Sequence, residues 1–485
     1  MVEIARRCVR SRLATALAAL LVVVPAPGKA QVSQSQGVAV TATGSSPGTV
    51  NVTGFDGTVP IFLQTTGGWS IDASGDGANV TLTGTQVATT GLPTTSPAPN
   101  ALVDFNAIGT SAIDTTSTVT AGAGSVTVAT GTSAASTVTL SGQTGSSDAP
   151  AGLSAVSQGA DGFHGSSATI TDGVYTTELS ASGTYSTTTF SGTSGGAVGL
   201  MLGAGTTISV SGSGTGAQTD LLTPTLVGVA AASLGGDGTI GFYTTGVDQS
   251  PTPYPGNGGA AGTVAIATVA GTSITVTQAG AGSNAVGLSA VSRGGNAAAG
   301  NLITTEDHYV SGSAGAAGAV TVTHAGRIEV NAPAGTGIYA LSIGGNGNIS
   351  GGVPEPTAEG ATPNPAPANG QAVTVTLQAG GSVLLDQAGI GVFAFSRAGD
   401  WTPTGAFVSP LGGAVSVTLD QGSSVTVTGS GGATSAPFAF GVLAVSAGQS
   451  LVSDPLIGEG SGQGSGSTGS VTLSNAGQIR TSGEL

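Results

Sequence analysis

A six-residue pattern, Gly-aliphatic-x-Ala-x-Ser, occurs six times in this chain. The copies lie at residues 152–157, 228–233, 287–292, 337–342, 391–396 and 441–446. The last four begin 50, 54 and 50 residues apart. A short apolar segment at near-constant spacing is typical of repeat proteins, because one repeat cannot bury its apolar face until the next repeat stacks on it. The pattern therefore predicts a solenoid, in which most residues hold one coil on the next.

The repeat unit is clearest between residues 319 and 345. Residues 319–324 and 327–331 alternate apolar and polar side chains, which predicts two strands with one buried face each. Residues 337–342 form the predicted third strand, and short turns should separate the three. The unit recurs at 263–292, 372–396 and 414–446, and less regularly at 38–66, 126–157 and 208–233.

Alternation assigns the faces of the third strand. The aliphatic, Ala and Ser positions are two residues apart, so they share one side, which we interpret as the interior. The Ser hydroxyls would then bond to each other or to backbone along a ladder. The third position of the motif should face outward. The fifth position, apolar in every copy, should also point outward beneath a covering loop. The third position is occupied by Ser154, Ala230, Ser289, Tyr339, Phe393 and Leu443.

These patterns predict an all-β chain folded as a parallel β-helix of roughly ten coils with long Gly/Pro-rich loop excursions. The 85 glycines would also suit a flexible, disordered chain, but 39% hydrophobic residues in regular alternation favour the folded alternative. The clearest excursions are residues 235–262, 294–318 and 344–370. They should leave the coils along one edge, as flexible padding or as a binding face.

The first 30 residues have the pattern of a secretion signal. Four arginines between positions 6 and 12 precede an apolar run at 13–24 that is too short to span a bilayer. Gly-Lys-Ala at 28–30 is a small-x-small cleavage pattern. We therefore predict a signal peptide at 1–30 and repeats at 31–485. The only cysteine, Cys8, lies in the leader, so the exported chain would contain no disulfide.

The charge of the chain limits its partners. The net charge is −15, and removal of the leader would take five of the nine basic residues and Glu3 with it, leaving a net charge of −19. Nucleic-acid binding requires clustered Lys and Arg, so no nucleic-acid partner is expected. Direct binding to anionic membranes is also not expected. The charge would instead keep an exported, Gly-rich solenoid soluble.

Metal and cofactor sites are not predicted. His164, His308 and His324 have no spacing suited to a metal and stand beside no cysteine, so we expect surface positions for them. Residues 235–238 (Gly-Gly-Asp-Gly) and 344–347 (Gly-Gly-Asn-Gly) share part of a calcium-binding nonapeptide repeat. They lack its nine-residue period and are predicted to be plain turns.

Three carboxylates give an alternative. Asp386, Asp400 and Asp420 lie in neighbouring coils, and Trp401 could stack on a sugar. A glycosidase needs two carboxyl groups about 5–10 Å apart. Acids on adjacent coils, about 4.8 Å apart, could meet that distance, but Arg397 is the only basic residue near them. We predict no catalytic residues and no enzyme, with a polysaccharide-active enzyme as the alternative.

Residues 318–347 (GAVTVTHAGRIEVNAPAGTGIYALSIGGNG) closely resemble the passenger repeats of autotransporter (type V secretion) proteins of Gram-negative bacteria. The resemblance covers most of 264–485 and, more loosely, 38–233. It implies a right-handed parallel β-helix displayed at the cell surface, commonly as an adhesin. It also implies a missing partner, the outer-membrane translocator barrel. The lack of cysteine agrees with passage through an outer-membrane pore.

Residues 470–484 supply two strands of a further repeat without its third strand. We therefore expect the passenger to continue beyond Leu485. The alternative is a two-partner secreted passenger, which would carry no barrel of its own. The leading hypothesis is an exported, surface-displayed adhesin-like scaffold with an unidentified ligand on a host or neighbouring cell. A purely structural stalk is a third hypothesis.

Overall fold

The computed structural model describes the backbone of the 35 strands given below, numbered β1–β35 in chain order. It describes side chains at residues 122–128 with gaps, 151–162, 190–212, 224, 226–239, 256–280, 284–298, 312–347, 367–399, 411–429, 439–448 and 467–482. No helix occurs among the described residues. The predicted all-β class is confirmed for this part of the chain.

Three parallel sheets form the walls of a solenoid, and each coil visits them in the order sheet 1, sheet 2, sheet 3 from β10 onward. Sheet 1 contains β1 (Gln31–Gln34), β3 (Gly48–Val52), β5 (Trp69–Ala73), β10 (Val126–Thr130), β15 (Val198–Leu202), β20 (Val264–Thr268), β25 (Val320–His324), β28 (Val373–Leu377), β31 (Val415–Leu419) and β34 (Val471–Asn475).

Sheet 2 contains β6 (Asn79–Thr83), β11 (Thr137–Gln143), β16 (Thr207–Ser213), β21 (Ser273–Ala279), β26 (Arg327–Asn331), β29 (Ser382–Leu385), β32 (Ser424–Thr428) and β35 (Gln478–Ser482). Sheet 3 contains β2 (Thr41–Gly44), β4 (Ile61–Thr65), β7 (Ala101–Ile108), β12 (Ala151–Gln158), β17 (Leu226–Leu234), β22 (Asn284–Arg293), β27 (Ala334–Ile343), β30 (Gly389–Arg397) and β33 (Ala439–Ala447).

Four antiparallel hairpins are inserted between the coils. They are β8–β9 (Thr110–Ile113, Thr118–Ala121), β13–β14 (Ala168–Thr171, Val174–Thr177), β18–β19 (Ile240–Tyr243, Thr252–Pro255) and β23–β24 (Ala299–Asn301, Tyr309–Ser311). Each hairpin follows a strand of sheet 3 and precedes a strand of sheet 1.

The six copies of the sequence motif lie side by side in sheet 3, in strands β12, β17, β22, β27, β30 and β33. Their register is the one that the sequence alignment predicts, since the Ala position of each copy pairs with the Ala position of the next. The glycine that opens the motif has a steric role. A Cβ at Gly337 would overlap the side chain of Val383 in sheet 2 and the carbonyl oxygen of Gly391 in the next coil.

The interior of the solenoid is a single apolar core shared by the three sheets. One coil contributes Val320 and Val322 from sheet 1, Ile328 and Val330 from sheet 2, and Ile338 and Ala340 from sheet 3. All six are fully buried. Each large aliphatic side chain buried in this way stabilises the fold by about 1.5–3 kcal/mol. The predicted inward direction of the aliphatic and Ala positions is therefore confirmed.

The outer face of sheet 3 differs from the prediction at the third motif position and agrees with it at the fifth, where outward but covered residues were expected. Tyr339, Leu341, Phe393 and Phe395 alternate with the interior residues, so they point away from the core. They are nevertheless only 2–3% exposed and form a second apolar cluster. The ring centroids of Tyr339 and Phe393 are 5.6 Å apart, and those of Phe393 and Phe395 are 5.8 Å apart. The third motif position does face outward as predicted, but Tyr339 and Phe393 are buried there because both faces of sheet 3 are covered.

The motif serines form a continuous ladder with backbone groups. Ser292 Oγ donates to the carbonyl oxygen of Gly262 (2.9 Å) and accepts from the amide of Gly318 (2.7 Å). The same pattern links Ser157, Ser233, Ser342, Ser396 and Ser446 to the residue two positions before a strand of sheet 1. The predicted hydroxyl ladder is confirmed, and its partners are backbone groups.

Candidate interaction surface

The corner between sheet 3 and sheet 1 carries the insertions of the chain. All four hairpins arise there, as the sequence predicts for the excursions. Neighbouring hairpins lie against each other, since β14 contacts β18 and β19 contacts β24. These contacts place three of the hairpins, β13–β14, β18–β19 and β23–β24, in a row along one side of the solenoid. We name this row the hairpin row, and it is the candidate interaction surface.

A layer of extended, glycine-rich chain connects the hairpin row to the coils. Incoming segments, at 190–197, 256–263, 312–319, 367–372, 411–414 and 467–470, lead into sheet 1. Outgoing segments, at 159–162, 235–239, 294–298, 344–347 and 398–399, leave sheet 3. We call both sets together the glycine layer. Residues 344–347 and 235–238 lie in this extended chain, so their prediction as plain turns is wrong.

Hydrogen bonds between incoming segments repeat every third residue. The amides of Gly258, Ala261 and Val264 donate to the carbonyl oxygens of Ser313, Ala316 and Ala319, at 2.8–2.9 Å. Three residues per turn is the period of a polyproline-II helix, which has no internal hydrogen bonds and leaves its backbone groups free for neighbouring chains. The bases of the excursions are therefore hydrogen-bonded structure, which argues against flexible padding for the described residues.

A second set of hydrogen bonds runs between outgoing and incoming segments. Gly259 donates to Gly236, Gly295 to Gly259, Gly315 to Gly295 and Gly345 to Gly315, all at 2.7–2.9 Å. The backbones approach so closely that a Cβ at Gly295 would overlap the carbonyl oxygen of Gly236. Close backbone approach is therefore the physical reason for glycine at these positions.

Asp and Asn side chains connect each outgoing segment to the next one. Asp161 Oδ1 accepts from the amide of Asp237 (2.8 Å), and Asp237 Oδ1 accepts from the amide of Asn296 (2.7 Å). Asn296 Oδ1 accepts from the amide of Asn346 (3.0 Å). The recurring Gly-Gly-Asx sequence was a visible signal for this Asx ladder, which the sequence reasoning missed. Within the described residues, no group of three or more His, Cys, Asp or Glu side chains could hold a metal ion.

Asp386 and Asp420, two of the three carboxylates considered for glycan cleavage, are not brought together. Asp386 follows a strand of sheet 2, whereas Asp420 follows a strand of sheet 1, so they lie at different corners. Asp400 and Trp401 lie outside the described residues. Arg397 is 3% exposed, and its Nε donates to the carbonyl oxygen of Ala398 (3.3 Å). The paired arrangement that a glycosidase needs is not formed by Asp386 and Asp420.

His324 is buried, which corrects the expectation of a surface position. It is fully inaccessible to solvent as the last inward residue of β25, and its Nδ1 lies 2.7 Å from Thr268 Oγ1. His164 and His308 lie outside the described residues.

Comparison with known proteins gives no relative for this chain: no family model matches, and neither does any curated protein or solved structure. Among the described residues, no helix has the length and apolar character needed to cross a membrane.

Proposed function

We propose that this chain is an exported β-helical passenger displayed at the cell surface, where it acts as an adhesin-like interaction scaffold. In this proposal the three parallel sheets belong to a right-handed helix of roughly ten coils, about 45 Å or more in length at the spacing of neighbouring strands. The signal segment at 1–30 directs export, and a translocator barrel outside this chain carries the passenger outward. The ligand is a molecule on a host or neighbouring cell.

The observation that carries this proposal is the hairpin row. Four hairpins leave the same corner of the coils, and the contacts between neighbours align three of them, from β13–β14 to β23–β24, in a row. Insertions on one side of a solenoid commonly form its binding face. The serine ladder and the glycine layer supply a rigid support for such a face, because both consist of hydrogen bonds between successive coils.

Binding of the purified mature chain to cells tests the proposal. The first variant replaces the hairpins β18–β19 and β23–β24 with short loops and keeps the glycine layer. We expect the parent to bind and the variant to lose binding, with unchanged circular dichroism and melting temperature. A control variant, Thr275→Glu with Thr426→Glu, alters polar positions that are partly exposed. Both lie in sheet 2, which does not border the corner between sheet 3 and sheet 1. It should bind like the parent.

Three results would contradict the proposal. Equal binding by parent and hairpin variant would remove the hairpin row as the interaction surface. Depolymerisation of a purified polysaccharide by the mature chain would instead support the enzyme alternative. Absence of cell binding by the parent would favour a structural stalk.

A further inference from the structure

His324 connects three successive coils. Its ring contacts Thr268 Oγ1 in the preceding coil through Nδ1, at 2.7 Å, and the carbonyl oxygen of Ser382 in the following coil through Nε2, at 3.3 Å. The three residues belong to β20, β25 and β29. One titratable side chain thus links three levels of the stack.

The hydrogen bonds select one neutral form of the ring. The Ser382 carbonyl can only accept, so Nε2 carries the proton, and Nδ1 accepts from the Thr268 hydroxyl. Thr268 Oγ1 in turn accepts from the amide of Ala325 (3.3 Å). A proton added to Nδ1 would point at Thr268 Oγ1 and force the hydroxyl proton of Thr268 to find another acceptor in a buried site. The arrangement is therefore matched to neutral histidine alone.

The same position is leucine in the coils of sheet 1 that flank Thr268 and His324. The residues in register with His324 are Ala73, Thr130, Leu202, Thr268, Leu377, Leu419 and Asn475. A leucine at this level would fill the interior without any dependence on pH. The exception at His324 and Thr268 therefore places a pH-sensitive pair inside an otherwise pH-insensitive core.

The surroundings hold no charge that would stabilise a protonated ring. Strands β20, β28 and β29, which pack against it, contain no acidic or basic residue. The nearest strand with charges is β26, where Arg327 and Glu329 pair with each other at 2.6 Å on the outward, partly exposed face. Burial lowers the pKa of His324 from 6.5 to about 4, although hydrogen bonds with the backbone of Ser382 and Gly326 act in the opposite direction.

We propose that His324 is an acid-sensitive latch, closed at neutral pH, whose protonation opens the stack locally where β20, β25 and β29 meet. The inference goes beyond the proposed function and does not depend on it. In the opened state the ring takes up a proton near its ordinary pKa, whereas the closed state resists protonation. The stability that the neutral His324 site contributes is therefore fully present above about pH 6.5 and falls as the pH decreases towards about 4.

Hydrogen exchange of the mature chain, followed by mass spectrometry at about pH 7.5 and about pH 4.5, tests the latch. The comparison is with His324→Leu, which copies the residue of neighbouring coils, so the intrinsic pH dependence of exchange cancels. We expect the wild-type amides of β20, β25 and β29 to lose protection relative to the variant at acid pH, on the order of a hundredfold. Strands β15 and β31 should change little.

A second variant keeps the test decisive if His324→Leu does not fold. His324→Gln retains an acceptor and a donor but does not titrate. The loss of amide protection at acid pH that we expect for the wild type should therefore not occur in this variant. The His324 ring signals in the folded protein should titrate well below 6.5 by NMR. Identical pH dependence in wild type and both variants, or a ring pKa at or above 6.5, would overturn the proposal.

Discussion

The hydroxyl of Ser342 donates a 2.9 Å hydrogen bond to the carbonyl oxygen of Gly318, at the junction of sheet 3 with the glycine layer. The same oxygen atom of Ser342 accepts a 2.9 Å hydrogen bond from the amide of Gln371 in the next coil. One fully buried side chain thus satisfies two backbone groups on two coils. Serine suits this position because a hydroxyl is the smallest side-chain group that can both donate and accept.

Replacement of Ser342 by Ala should be strongly destabilising. The Gly318 carbonyl and the Gln371 amide would both lose this partner in a buried site, so we expect the free energy of unfolding to fall by about 2–4 kcal/mol. Chemical denaturation monitored by circular dichroism measures the change. The control is Ser154→Ala, because the buried hydroxyl of Ser154 has no hydrogen-bond partner among the described residues. That variant should be neutral or slightly stabilising, and equal losses in the two variants would contradict a special role for the ladder.

Replacement of a glycine in the glycine layer should be destabilising wherever two backbones are in close contact. In Gly295→Ala the new methyl group would overlap the Gly236 carbonyl oxygen and force apart two hydrogen-bonded segments. We expect a loss of about 3 kcal/mol or more in unfolding free energy. Ala316→Thr is the matched control, since it adds more volume to the same layer at an exposed position. A normal melting temperature for Gly295→Ala would show that the segments are looser than described.

The parts of the fold that the sequence predicted are those with a period of two. The strands of sheet 3, their register and the serine ladder all follow from alternation in the six motif copies. The glycine layer has a hydrogen-bond period of three and few side chains, so no alternation marked it, and its glycines resembled a flexible linker. The burial of Tyr339 was not predicted either. Alternation tells which side of the strand a residue faces and not whether that side is covered.

His324 shows a different kind of error. Val320, Val322 and His324 alternate in β25, so the period-two rule places the histidine inward with the two valines. The expectation of a surface position came from residue type, since histidine at the end of a strand is commonly solvated. The alternation in β25 therefore indicated the buried position of His324 correctly, and the polarity of histidine did not.

Burial on both faces of β27 predicts that a charge is harmful on either side. Ala340→Glu places a carboxylate in the interior core, and Tyr339→Glu places one in the second apolar cluster. Each should lower the free energy of unfolding by about 3 kcal/mol or more, because an unpaired buried charge is costly. Thr321→Glu, at an exposed position of sheet 1, should change it by less than about 0.5 kcal/mol. If Tyr339→Glu behaves like Thr321→Glu in thermal melts, the second cluster is not closed to solvent.

Removal of divalent metals should leave the fold unchanged. Asp237, the acid in the Gly-Gly-Asp-Gly sequence, uses Oδ1 to accept from the Asn296 amide and Oδ2 to accept from Asn296 Nδ2 (3.2 Å). Both carboxylate oxygens therefore already accept hydrogen bonds that join the outgoing segments at this level. Dialysis against EDTA should not shift the melting temperature. Asp237→Asn keeps an acceptor for the Asn296 backbone amide and gives up only the exposed bond from Asn296 Nδ2, so it should lower the melting temperature only slightly. A large fall in melting temperature on dialysis that calcium restores, and that does not occur in Asp237→Asn, would instead identify the Gly-Gly-Asp-Gly segment as an ion site.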